Sequence, residues 1–160
     1  MVIKIKEFDV TIDDEDYELV GHIKWGVNMG KNEKAGKHYF VKGITLKPKK
    51  YDVIYLHRII LKAEKGDIVD HINGNTLDNR KSNLRICTQL ENCRNVKKNK
   101  RNTSGYKGVS FSSNMGKYRA AIKATKGKKI VLGYFDDPSE AHKAYCEASK
   151  KYHGCFGRTE

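Results

Sequence analysis

Residues 70–92, DHINGNTLDNRKSNLRICTQLEN, decide how this chain folds. Ile68, Val69 and Ile72 lead into Asn73-Gly74, a pair that favours a tight turn, so a strand should end with Asp70 and His71 beside a loop. Leu84-Arg85-Ile86-Cys87 offers a second short strand. Thr88-Gln89-Leu90-Glu91 then has the form of a capping box, which predicts a helix from Gln89. Asn92 falls on its first turn, where a side chain can face back toward the strand carrying Asp70 and His71.

These residue types suit one chemistry. Hydrolysis of a phosphodiester needs a deprotonated water, compensation of charge on the phosphoryl oxygens and a stabilised leaving oxygen. A neutral imidazole, with an ordinary pKa of ~6.5, can take the proton. A hard divalent cation held by few oxygen ligands supplies the rest. Asp70 offers one charged oxygen donor and Asn92 one neutral donor.

Strand, loop, strand and helix with DH at 70–71, NTLDNRKSNL at 75–84 and EN at 91–92 resemble the HNH (ββα-metal) nucleases, homing-type enzymes of phages and introns among them. The resemblance implies His71 as general base, Asn83 as the residue that shapes the loop, and Asp70 with Asn92 as ligands of Mg²⁺ or Mn²⁺. Asn92 stands where many members have histidine, which points to the subfamily with aspartate and asparagine ligands.

On the N-terminal side, Ile3, Ile5, Tyr39 and Val41 alternate with polar residues as in half-buried strands, and the acidic run IDDEDYELV suits a helix start. Trp25 should anchor this small core, and NMGKNEKAGK at 28–37 reads as a hairpin loop. Leu56, Ile59, Ile60 and Ala63 are at helical spacing, with Gly66 as a stop. His57 reads as a histidine hydrogen-bonded inside the packed domain.

Charge is lopsided. Residues 1–80 carry 14 Lys+Arg against 13 Asp+Glu, and residues 81–160 carry 18 against 6, so the second half holds nearly all of the net +13. That asymmetry suits a face tracking a phosphate backbone. With 38% apolar residues the composition is that of a soluble globular protein, and MVIKIKEFDV lacks the apolar segment of a secretory signal. The expectation is cytoplasmic, host cytoplasm if phage-encoded, with no membrane role and no protein partner evident. Four cysteines without zinc-knuckle spacing read as reduced thiols.

RNVKKNKRNTSG at 94–105 is too polar and too charged to fold alone and reads as an extended basic linker. Beyond it, YKGVSFS, GKYRAAIKAT and KKIVLGYF read as an antiparallel meander. Asp137 is a candidate helix cap, Pro138 lies in the first turn, and Ala141, Ala144, Tyr145, Ala148 and Tyr152 share one face up to Gly154. In the second strand Lys117, Arg119, Ala121 and Lys123 point one way and Tyr118, Ala120 and Ile122 the other. The helix should cover the second set.

YKGVSF, KYRAAIK, VLGYFDDPSEAHKAY and YHG, within about 104–157, resemble the plant APETALA2/ethylene-response DNA-binding domain. The resemblance implies a sheet lying in the DNA major groove, with Lys107, Ser110, Lys117, Lys123 and Lys129 at contact positions and Val131 in place of a tryptophan. Lysine makes point-charge contacts where arginine binds guanine with two hydrogen bonds, so phosphate contact is the firmer expectation.

The combined reading is an α+β chain: an HNH domain at 1–94, a basic linker at 95–104, and at 105–160 a three-stranded antiparallel sheet packed on one α-helix. Its expected function is metal-dependent endonuclease action on double-stranded DNA. Expected DNA contacts are Arg94, Lys97, Lys98, Lys100, Arg101, Lys107, Ser110, Lys117, Arg119, Lys123 and Lys129. The alternatives are a catalytically silent, sequence-specific DNA-binding regulator and an RNA-binding module.

Overall fold

The computed structural model describes residues 1–29, 38–47, 50–124 and 128–160. Most of the expected loop at 28–37 therefore lies outside the described residues. The class is α+β with several small antiparallel sheets, and the chain divides into two compact units, Met1–Gln89 and Leu90–Glu160.

In the first unit β1 (Val2–Ile5) and β2 (Phe8–Thr11) form a hairpin, followed by a 3-10 turn at Asp14–Asp16 and the short helix α1 (Tyr17–Val20). Next come β3 (Gly26–Met29), β4 (His38–Lys47) and β5 (Lys50–Tyr55), an antiparallel sheet in the order β3-β4-β5. Helix α2 spans Leu56–Ile60, and a two-stranded ribbon pairs β6 (Ile68–His71) with β7 (Leu84–Cys87). Ile5, Val10, Ile12, Val20, Trp25, Phe40, Leu56, Ile60 and Leu84 make one core. Trp25 is anchored there by donating from Nε1 to the Val20 carbonyl at 3.0 Å.

Helix α2 is shorter than its apolar spacing predicts. Lys62 adopts the left-handed conformation, φ +51°, directly after the last turn, so Ala63 lies outside the helix and the chain turns before Gly66. Arg58 holds that turn by donating to the carbonyls of Glu64 and Asp67.

The long loop between β6 and β7 is stitched to β2. Thr11 N donates to Leu77 O and Asn79 N to Thr11 O, both at 2.8 Å. Lys81 adds ion pairs to Glu15 and Asp16, whose hydrogen bonds raise the lysine pKa, the Asp16 bond most. This cross-link fixes the loop that carries the asparagines.

The second unit begins within α3 (Gln89–Arg94), which starts where the Thr88–Glu91 pattern places it. Strands β8 (Val109–Ser112), β9 (Lys117–Lys123) and β10 (Lys129–Phe135) form a sheet in the order β10-β9-β8, and α4 (Pro138–His153) packs on it. Asp137 caps α4, accepting from Ser139 N and Glu140 N, and these bonds lower its pKa. Gly154 ends the helix at φ +56°. Ala141, Tyr145 and Ala148 are buried as their spacing requires, and Ser149 and His153 are buried with them. Gly108 is obligatory here: its φ is +79°, and a Cβ would lie 2.0 Å from the Tyr145 ring.

Candidate active site

Strand β6 delivers Asp70 and His71 to the start of the asparagine loop. Neighbouring residues of a strand face opposite sides. His71 is paired with Leu84 and shares the core side with it, whereas Asp70 is paired with Arg85 on the other side. Both side chains are buried, Asp70 at 7% and His71 at 5% exposure.

The Asn73-Gly74 turn forms as its sequence indicates, with Gly74 at φ +72° donating to the His71 carbonyl. Asn83 ties the two ends of the loop together. Its Oδ1 accepts from Asn73 N at 2.9 Å, its Nδ2 donates to Asp78 O at 2.7 Å, and its carbonyl accepts from Ile72 N. Asn73 and Asn75 each accept from the backbone N–H two residues on. Arg80 clamps Asp78 with two bonds of 2.8 Å, and the Arg80 hydrogen bond is the first cause holding the Asp78 pKa down.

Asn79 is the residue that sequence reasoning left without a role. It is 1% exposed, the most buried polar side chain of the loop, and its Nδ2 donates to Thr76 O at 3.1 Å. Its Oδ1 therefore faces His71 and accepts from Nε2–H at 3.1 Å. His71 is set in one tautomer by this contact, with its proton on Nε2 and its lone pair on Nδ1. The asparagine spacing of residues 75–83 was the available signal, but only the fold shows which amide meets the imidazole.

Arg85 was also missed. Its Nε and one terminal nitrogen donate to the same oxygen of Asp70, Oδ2, at 3.0 and 2.8 Å. In this cross-strand ion pair the carboxylate is buried and the guanidinium half-buried.

Aromatic rings close one flank of His71. His57 lies with its ring centroid 5.3 Å away, edge to face, and Tyr39 at 6.5 Å. His57 is buried as expected, but among the described residues its ring makes no hydrogen bond. Burial first, then the charges of His71 and Arg58, lower its pKa to about 3. Burial also raises the Tyr39 pKa, helped by the charge of Asp70.

Asp70, His71 and Asn83 are all buried in the first unit, on β6 and at the far end of its loop, while Asn92 lies on α3 in the second unit, half-buried. Among the described residues no group of three or more His, Cys, Asp or Glu is placed to hold a metal ion.

The expected DNA contacts differ in what they already bind. Lys97, Lys100 and Arg101 are exposed, and Lys98 donates to Gly105 O at 2.6 Å. Lys107 is half-buried, with its ammonium on the carbonyls of Arg94 and Val96; burial, aided by the Arg158 charge, lowers its pKa to about 8. On β9, Ala120 and Ile122 face the core beneath α4. The opposite face carries Lys117, Arg119, Ala121 and Lys123, with Ser110 and Lys129 from the flanking strands in register. Lys117 pairs with Asp136, and Arg119 reaches Ser110 at 3.4 Å. A register shift between Val131 and Gly133 brings Tyr134 opposite Arg119, an exposed aromatic that simple alternation does not place there.

Residues 54–94 match a family model of HNH endonucleases. The chain is 43% identical over 65 residues to "Protein 3.8" of Escherichia phage T7, a stretch covering 41% of this chain and 53% of that protein. The chain thus matches about half the length of this curated phage relative. No solved structure matches. Among the described residues no helix is long and apolar enough to cross a membrane.

Proposed function

We propose that the chain is a metal-dependent endonuclease that hydrolyses phosphodiester bonds of double-stranded DNA, with His71 as general base. The observation that carries this reading is the hydrogen bond from His71 Nε2 to Asn79. An imidazole held as the Nε2–H tautomer presents a basic lone pair at Nδ1, the state needed to take a proton from water. Asn83 acts one step removed, closing the loop that delivers Asn79.

Asp70 and Asn92 are the residues that would hold Mg²⁺ or Mn²⁺. One carboxylate and one amide oxygen are a sparse donor set of the kind a hard cation completes with water and substrate. Such a cation, when bound, balances charge on the phosphoryl oxygens and stabilises the leaving oxygen. Arg85 keeps the Asp70 charge compensated, and His71 moves the proton.

The HNH module is proposed to span 1–94, with 95–104 as a basic linker and 105–160 as an APETALA2-like module whose uncovered sheet face lies on duplex DNA. Arg94, Lys97, Lys98, Lys100 and Arg101 along the linker, with Ser110, Lys117, Arg119, Lys123 and Lys129 on the sheet, form the proposed contact surface. Lys107 supports the linker through its carbonyl contacts and reaches phosphate only if it leaves them. A homing-type phage role in the host cytoplasm, with 5′-phosphate and 3′-hydroxyl products, belongs to the same proposal.

The Asp70–Arg85 pair favours a second reading, a silent DNA-binding regulator in which the guanidinium has replaced the metal. Cleavage of supercoiled plasmid with Mg²⁺ and with chelator, in wild type and His71→Ala, separates the two. Metal-dependent nicking or linearisation lost in His71→Ala supports the nuclease. No metal-dependent product, or full activity in the variant, overturns it.

A further inference from the structure

His57 is a buried titratable group that the reaction as described does not use. It sits at the second position of α2, where Leu56 and Ile60 turn into the core. An apolar residue would suit that position as well, since the side chain is 8% exposed and its ring gains no hydrogen bond among the described residues.

What the ring does gain is a set of aromatic neighbours. Its centroid lies 5.5 Å from Tyr55, 5.7 Å from Tyr39 and 5.3 Å from His71, and Tyr39 also contacts Tyr55 and His71. These rings come from β4, the end of β5 and α2, so three elements converge on the flank of His71. The hydrogen bond to Asn79 fixes one ring nitrogen. A flanking wall adds a constraint on the ring plane, and edge-to-face contact is an arrangement aromatic pairs prefer.

We propose that His57 is a positioning residue: packed edge to face against His71 and backed by Tyr39 and Tyr55, it sets the ring plane in which His71 meets the attacking water. This rests on His71 being the base. Burial keeps His57 neutral, so it adds no charge that would repel the proton His71 accepts.

The test compares wild type, His57→Phe and His57→Leu as full chains, since both replacements suit an apolar environment. Multiple-turnover cleavage of duplex DNA with Mg²⁺ gives kcat and KM, and nuclear Overhauser contacts between the His71 and Tyr39 rings report the ring plane without requiring cleavage. Misplacement of a reacting group by about 1 Å costs about 100-fold in rate. His57→Leu should therefore lower kcat about 10- to 100-fold with KM unchanged and lose the ring contact, whereas His57→Phe recovers most of the rate and keeps it. An unchanged kcat or an intact ring contact in His57→Leu overturns the inference, as does a matched loss in both variants with a lowered melting temperature. If wild type does not cleave, the nuclease reading fails and the ring contacts alone decide the positioning claim.

Discussion

The asparagine loop of the first unit and the sheet face opposite α4 in the second are both polar, and they are built in opposite ways. In the loop, Asp70, His71, Asn79 and Asn83 are buried and bonded to fixed partners. On the sheet, Lys123 and Lys129 are exposed. Chemistry at one atom needs a side chain held to a fraction of an ångström, which buried hydrogen bonds supply. Attraction to a polyanion needs only charge in roughly the right place. Substitutions in the loop should therefore act abruptly, and those on the sheet gradually.

The largest effect is expected at the Asp70–Arg85 pair. Stripping a buried charge of its partner costs up to about 3–5 kcal/mol, so Arg85→Met, which leaves the buried Asp70 carboxylate without its guanidinium, should lower the denaturant midpoint of the first unit. A shift no larger than that of an exposed pair such as Lys117–Asp136 would erase the contrast. Asn79→Ala comes next. It should leave DNA affinity in place and lower the cleavage rate about 100-fold, because groups that orient a reacting side chain act on its geometry. An equal loss in affinity would make Asn79 a structural residue only.

A smaller effect concerns acid. The folded pKa of His57 is about 3 against an ordinary 6.5. Between those values the unfolded chain binds a proton that the folded chain refuses. Stability is full above about pH 6.5 and falls by up to about 1.4 kcal/mol per pH unit as pH drops toward 3. Urea unfolding at pH 7, 5.5 and 4.5 should show this slope in wild type and a flatter one in His57→Phe; equal slopes would remove His57 as the cause. The smallest effect belongs to the sheet. Lys123→Ala with Lys129→Ala should weaken DNA binding a few-fold and reduce the salt slope by about 2, near one unit per lost phosphate contact.

Much of this was legible where short-range chemistry decides the structure. Asn73-Gly74, Asp137-Pro138 and the start of α3 at Gln89 carry their turn and cap signals within a few residues. The alternation of β9 likewise separates Ala120 and Ile122 from Lys117 and Lys123. The early end of α2 was not legible, because lysine gives no stop signal and tertiary packing sets Lys62 at φ +51°. Tyr134 was hidden by the irregularity in β10, which breaks the period of two. Arg85 and Asn79 depend on pairing across a 12-residue loop, and nothing local says which strand position or which amide will meet Asp70 or His71.

The central claim is that this loop holds His71 in a single tautomer for proton abstraction. A long-range ¹⁵N–¹H spectrum of the histidines of the full chain near pH 7.5, with His71 assigned by its loss in His71→Ala, tests it directly. The Asn79 contact calls for a protonated Nε2 and an unprotonated Nδ1, with that pattern disturbed in Asn79→Ala. A proton on Nδ1, or rapid exchange between both nitrogens in wild type, would contradict it.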